Sequence, residues 1–192
     1  DPELKREALL TAGELYDKVD VVEDAIRVYE IYVAEYPLPM DIAMETRSRL
    51  AEIFKLRLDY NRYYEALGEI VAADSEAGIE RTDRSRYLAS KAALVLAERT
   101  YERFVDLQLT QPFEESLNEK QNRMDVATAA FEELVSYEVA DVTSAATYYI
   151  AQIYLDFSVA LLESERPAGL SEAEKVDYEM VLEEEAFPFE ER

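Results

Sequence analysis

The side chains in this chain that could carry out chemistry are mostly carboxylates and tyrosines. It holds 43 acidic residues and 14 tyrosines, whereas histidine and cysteine are absent. Without them there is no imidazole base, no thiol nucleophile, no disulfide and no nitrogen or sulfur ligand for zinc. Paired carboxylates such as Glu114-Glu115 and Glu132-Glu133 remain as candidates for acid–base catalysis. Sequence neighbours on a helix point apart, so adjacency does not predict convergence in a pocket.

Motifs that hold ions or phosphates are also missing from the sequence. No Asp-x-Asp-x-Asp-Gly loop predicts a calcium site, and none of the 4 glycines belongs to a phosphate-binding loop. We therefore predict that the protein is not an enzyme and that it uses no metal and no cofactor.

The formal net charge of −23 restricts the partners that the chain can bind. Such a surface repels phosphate backbones and anionic lipids, so we predict no nucleic-acid binding and no docking on anionic membranes. Two interpretations of the acidity stay open. It either attracts a basic partner, or it is a general property of the surface that favours solubility or tolerance of high salt.

The elements that must position these groups are helices. Only 4 glycines and 6 prolines occur in 192 residues, and apolar residues recur at helical spacing. Small and aromatic residues mark a first pair of helices and its end: Leu9, Ala12, Gly13, Tyr16, Ala25, Tyr29 and Pro37. Their order and spacing resemble the tetratricopeptide repeat, W-x₂-L-G-x₂-Y…A-x₃-F…P, with apolar or aromatic replacements at Leu9, Ala12 and Tyr29. The resemblance implies helical hairpins stacked in a right-handed superhelix.

Later copies of the pattern place Ala51, Ala93 and Ala151 in the slot of Gly13. The repeats cover approximately 3–38, 41–78, 84–139 and 141–186. The fold class expected is therefore an all-α, TPR-like solenoid of about eight helices in a single domain, 1–192, with the third and fourth hairpins lengthened. The third hairpin would form a long arm, 100–134, that projects by roughly 16 Å and turns at Thr110-Gln111-Pro112.

Capping signals and apolar periodicity predict where individual helices start and which sides they bury. Asp20 with Glu23 predicts a capping box for the second helix, and Ser171 with Glu174 predicts one for the last. The apolar side of the last helix would consist of Val176, Met180, Val181 and Ala186.

The two ends of the chain suggest an excised piece of a longer protein. Asp1-Pro2-Glu3 is not a signal peptide, and Phe187-Pro188-Phe189 lies where another hairpin is expected. Apolar ends without a polar cap would stack on a neighbouring chain, which is one route to a homo-oligomer. No apolar run approaches the roughly 18 residues of a membrane span.

The resemblance also implies a binding site, because such arrays hold peptides or proteins in a concave groove lined by the first helix of each hairpin. On these first helices the candidate partner-binding residues are Glu7, Glu14, Asp17, Glu45, Arg49, Glu52, Tyr148, Tyr149 and Gln152. The carboxylates would suit a partner with Lys or Arg, and the alternative is that they are simply solvated. The tyrosines would either stack a ligand or pack between helices.

We predict a non-catalytic scaffold that binds a protein or peptide in the groove or on the arm. Two alternatives are self-association and binding of a small molecule through Tyr148 and Tyr149. The segment 148–188 also resembles stretches of tetratricopeptide-repeat proteins of bacterial cell envelopes, which implies a periplasmic scaffold.

Overall fold

The structure of the chain, a computed structural model, describes residues 1–191. Within this range the regular elements are all helical, and no strand is present. The eight α-helices of this range are α1 (Pro2–Lys18), α2 (Val22–Glu35), α3 (Met40–Leu56), α4 (Tyr60–Glu76), α5 (Asp83–Val105), α6 (Phe113–Val135), α7 (Ala140–Leu162) and α8 (Glu172–Glu190). The prediction of an all-α fold with about eight helices is confirmed.

The chain divides into two compact units, Asp1–Leu96 and Ala97–Arg192. Helix α5 contributes its first part to unit 1 and its last turns to unit 2. The helices α5, α6 and α7 have 23 residues each, against 14 to 17 in α1 to α4. The expected lengthening of the later helices is thus present, while the single domain over 1–192 stays a prediction.

Unit 1 contains two helical hairpins, and the first helix of each hairpin ends in the same type of turn. Helix α1 packs on α2, α3 on α4, and α2 joins the two hairpins by packing on α3. Asp20 and Leu58, 38 residues apart, both adopt left-handed backbone conformations, with φ of 61° and 60°. The next amide reaches back in each case, from Val21 to the Tyr16 carbonyl at 2.9 Å and from Asp59 to the Phe54 carbonyl at 3.0 Å. Both turns are Schellman motifs.

The capping box predicted at Asp20 is wrong. Val21 is the residue that precedes α2, and no side chain caps that helix. Asp20 is used instead to terminate α1, because its left-handed conformation directs the following amide to the orphan carbonyls of that helix. The capping box at Ser171 is confirmed, with both reciprocal hydrogen bonds to Glu174 present.

A buried carboxylate closes the end of α4 in unit 1. Asp74 is 1% exposed and accepts a hydrogen bond from the Ser85 hydroxyl at 2.6 Å. The guanidinium of Arg81 donates to the other carboxylate oxygen at 2.9 and 2.7 Å. These bonds tie α4 to the start of α5 across the short 3₁₀ turn Gly78–Glu80.

Unit 2 is built around α7, which packs against both α6 and α8. Its core contains Phe104, Phe131 and Phe157, each at most 1% exposed. The turn between α5 and α6 is bonded to the segment that follows α7: the Gln111 amide donates to the Glu165 carboxylate at 2.8 Å. The predicted arm is therefore bonded at its tip to the segment after α7 and does not project alone.

The predicted register of the last two helices is wrong. Gly13 and Ala51 are buried as expected and Ala93 is half-buried, but Ala151 is exposed. Helix α7 is apolar on most of its circumference, so its sequence allowed two buried stripes. The structure buries the one that contains Ala146, Ile153 and Phe157.

Helix α8 likewise buries a different stripe from the one expected. Leu182 and Ala186 face the core, and α8 continues through Pro188 to Glu190. The other three residues of the predicted apolar side, Val176, Met180 and Val181, are each more than half exposed.

Helix α7 is the one helix within 1–191 that is long and apolar enough to cross a membrane. It has 23 residues and an 18-residue window with a mean hydropathy of 1.2. A helix packed in a protein core can be equally long and apolar. The absence of a membrane span stays a prediction.

Candidate functional site

A groove of about 650 Å³ lies between α1 and α3 in unit 1, and α2 contributes to its base. We call this the α1–α3 groove; its lining consists of Leu10, Glu14, Asp17, Lys18, Tyr29, Asp41, Ile42, Glu45, Thr46 and Arg49. Four of the predicted partner-binding residues, Glu14, Asp17, Glu45 and Arg49, are therefore together in one cavity. Glu7 and Glu52 lie on the same helices but outside its lining.

The base of the groove depends on a close contact between α1 and α2. A Cβ atom added to Gly13 would lie 2.5 Å from Cε1 of Tyr29, so only glycine allows the helices this approach. The Tyr29 side chain is buried as a result, with 3% of its surface exposed. Burial raises the pKa of its hydroxyl, and the negative charges of Asp17 and Glu14 raise it further. Tyr29 therefore presents a neutral aromatic edge beneath the carboxylates.

Arg49 connects the two walls of the groove. Its Nε and Nη2 atoms donate to the two Asp17 carboxylate oxygens at 2.6 and 2.8 Å, a bidentate geometry. Nη1 donates to Glu52 at 2.8 Å. The hydrogen bond to Asp17, followed by that to Glu52, raises the pKa of the guanidinium above its ordinary value. Two of the predicted carboxylates are thus engaged by an arginine of the protein itself.

The remaining groove carboxylates differ in their pairing. Glu45 accepts a hydrogen bond from Arg84 Nε at 2.5 Å, and Asp41 accepts one from the Thr82 hydroxyl. Glu14 is exposed and has no hydrogen-bond or ion-pair partner among residues 1–191, and the same holds for Glu7. Glu14 is therefore the one predicted site residue that both lines the groove and has no hydrogen-bond or ion-pair partner within the described chain; Lys18, four residues further along α1, lines the groove as well.

Tyr149, which was predicted to bind a partner, is committed to packing in unit 2. Its ring stacks on Phe131 with centroids 4.7 Å apart, and it forms a T-shaped pair with Tyr101, with 5.2 Å between the centroids. Its hydroxyl donates to Glu98 at 3.1 Å. Burial, followed by the charge of Glu98, raises the pKa of Tyr149. A ring occupied in this way leaves little surface for a ligand.

Of the two other predicted residues on α7, Tyr148 is more accessible than Tyr149. Tyr148 is 63% exposed, and its ring forms a T-shaped pair with that of Tyr149, with 5.5 Å between the centroids. Gln152 is half-buried, and its amide donates to the Asp156 carboxylate at 3.0 Å. Asp156 also accepts a hydrogen bond from Tyr101.

Lys120, a buried cation in unit 2, was not among the residues predicted from the sequence. Its side chain is 2% exposed, and its ammonium donates to the carbonyls of Phe104 at 2.6 Å and Leu107 at 2.8 Å. These carbonyls lie in the last turn of α5 and just beyond its end, so Lys120 helps to close that helix. Burial lowers the pKa of the ammonium. The available signal was its position on the apolar stripe of α6, between Leu117 and Met124.

The chemistry open to these groups is recognition by charge and packing. Within 1–191, no group of three or more acidic side chains is arranged to hold a metal ion. Comparison with protein-family models, curated proteins and solved structures finds no match to the chain. The class defined by the fold is that of an all-α protein of helical hairpins.

Proposed function

We propose that this protein is a non-catalytic scaffold that binds a protein or peptide segment carrying Lys or Arg in the α1–α3 groove. The observation that carries the proposal is Glu14, a carboxylate without an ion-pair partner in the described chain, at the wall of a groove with an aromatic and aliphatic base. A basic side chain would pair with Glu14, while the apolar part of the segment would cover Leu10 and Ile42.

The arrangement of the hairpins as a TPR-like solenoid is part of the same proposal. Its support is the recurrence in unit 1, where the Schellman turns at Asp20 and Leu58 and the buried residues Gly13 and Ala51 each repeat after 38 residues. Repeated hairpins that stack expose a continuous face for binding extended segments. Placement in a bacterial cell envelope rests on the resemblance of 148–188 alone.

The test is a binding measurement with single charge reversals. Arrayed 12-residue peptides with Lys or Arg beside an apolar residue supply the probe, and the strongest binder is labelled for fluorescence anisotropy. Glu14→Lys should weaken its affinity by about threefold to tenfold, because an exposed ion pair contributes up to about 1 kcal/mol and the reversal adds repulsion. Binding should also weaken as the salt concentration rises from about 50 to about 500 mM, because salt screens the attraction between exposed charges.

Glu76→Lys is the matched control, since Glu76 is exposed on α4 and lies outside the groove lining. It changes the net charge of the protein by the same amount. Equal losses in Glu14→Lys and Glu76→Lys would show non-specific attraction to the acidic surface and would contradict the proposal. Glu52 is unsuitable for this purpose, because Arg49 holds it and its reversal would disturb Asp17 as well.

A further inference from the structure

The outward side of α8 carries an apolar stripe that no described residue covers. Val176, Met180 and Phe187 are spaced by four and seven residues, so they lie on one face of the helix. Their exposed fractions are 59%, 62% and 54%. The opposite side of α8 is fixed to unit 2 through Leu182, Ala186 and the ring of Phe189, which lies 4.7 Å from Phe157. We call the exposed residues the α8 stripe.

The α8 stripe is flanked on both sides by negative charge. Among its 19 residues α8 has eight acidic side chains and one lysine. Lys175 is paired with Glu172, Glu174 belongs to the capping box, and Glu190 accepts a hydrogen bond from Ser158. The exposed carboxylates left without a partner in the described chain are those of Asp177, Glu179, Glu183, Glu184 and Glu185. Helical geometry places Glu179 and Glu183 along one edge of the stripe and Asp177 and Glu184 along the other.

We propose that the α8 stripe binds an amphipathic helix of another protein, whose apolar seam is flanked by Lys and Arg. An apolar seam with charges on both sides is the arrangement by which paired helices select partners of opposite charge. The charge of α8 itself argues against a second copy of this chain, because two α8 helices in contact would bring their unpaired carboxylates together. The proposal concerns a different helix from the α1–α3 groove and does not rest on it.

The probe is a labelled 18-residue peptide with Leu repeated at spacings of four and three and Lys at the flanking positions. The control is a peptide of the same composition in scrambled order, which has the same charge but no continuous apolar seam. Binding is measured by fluorescence anisotropy in 150 mM salt. The ordered peptide should bind the full chain, and the scrambled peptide should bind at least about tenfold more weakly, as expected when interface anchors are lost.

Matched variants on α8 separate the stripe from the acidic surface in general. Val176→Ser combined with Met180→Ser should weaken the binding of the ordered peptide by at least about tenfold. Val181→Ser is the control: Val181 is 54% exposed on the same helix but lies away from the stripe. Glu183→Gln should weaken binding more than Glu185→Gln, which removes the same charge on the other side of the helix. These side chains are exposed, so circular dichroism should show unchanged folding.

Three outcomes would overturn the proposal. One is equal binding of the ordered and scrambled peptides, and another is equal binding by the stripe variants and their controls. The third is a dimer in sedimentation velocity that dissociates in Val176→Ser/Met180→Ser, since the stripe would then be covered by a second copy. Glu14→Lys should change the affinity of α8 for the ordered peptide by less than about twofold. The groove proposal can therefore fail while the α8 proposal holds.

Discussion

The contact between Gly13 and Tyr29 predicts that the same substitution, Gly→Ala, has opposite effects at two positions of unit 1. Alanine is favoured over glycine in a helix interior by about 1 kcal/mol. At Gly68 in α4 an added Cβ meets nothing within 4 Å, so Gly68→Ala should stabilise unit 1 by about that amount. At Gly13 the same atom would lie 2.5 and 2.7 Å from two ring carbons of Tyr29.

The ring of Tyr29 has little room to move, because only 3% of the residue is exposed. Overpacking of this kind typically costs about 1–3 kcal/mol, which offsets or exceeds the gain in helix propensity. The two variants should therefore differ by about 1–3 kcal/mol in free energy of unfolding, with Gly13→Ala the less stable.

The assay is urea unfolding followed by far-UV circular dichroism, with the free energies compared at equal m-values. Gly13→Ala is also made in a Tyr29→Leu background, where the clashing ring carbons are gone and the alanine should become stabilising. If Gly13→Ala in the unaltered protein is as stable as Gly68→Ala, the close approach of α1 and α2 is refuted, and with it the base of the α1–α3 groove.

Three further predictions concern other parts of the chain. Asp74→Asn should destabilise unit 1 by about 1–3 kcal/mol in urea unfolding, because the buried oxygens lose their charge-assisted bonds to the half-exposed Arg81. Ser171→Ala should lower the thermal stability of α8 by an amount equivalent to about 1 kcal/mol, whereas Ser171→Asp should retain the cap, as read by differential scanning calorimetry. Burial, then a hydrogen bond to a carboxylate, raises the pKa of Tyr101, so the stabilisation linked to its neutral form is complete below the unfolded pKa of about 10 and declines above it. The difference in unfolding free energy between the unaltered protein and Tyr101→Phe should therefore shrink from pH 9 to pH 11, and a constant difference would contradict it.

The helices were predictable where their signals are local. Pro37, Pro112 and Ser171 mark ends and starts that the structure keeps, because each acts through its own backbone or through a residue three positions away. Asp20 has the same type of local signal, but that signal fits either the start of α2 or the end of α1. In the structure Asp20 forms the left-handed turn that ends α1. Ala151 illustrates a different difficulty: on a helix that is apolar nearly all round, periodicity does not determine which stripe is buried.

For the site, the sequence predicted which helix faces carry the candidate residues, but not the contacts between those helices. Glu14, Asp17, Glu45 and Arg49 were placed on the first helices of two hairpins, and the structure brings them into one groove. The pairing of Arg49 with Asp17, across 32 residues of sequence, depends on the register between α1 and α3, and no spacing rule within one helix contains it. Which carboxylates remain uncompensated is therefore a tertiary property.

The tyrosine cluster of unit 2 gives the protein an optical signature of its own. Aromatic rings held in fixed asymmetric surroundings produce near-ultraviolet circular dichroism, and this signal disappears when tertiary packing is lost while helices persist. Since the chain has no tryptophan, absorption by the stacked and edge-on rings of Tyr101, Tyr148 and Tyr149 is not masked by indole bands. Loss of the tertiary packing around the tyrosines can therefore be followed without a label.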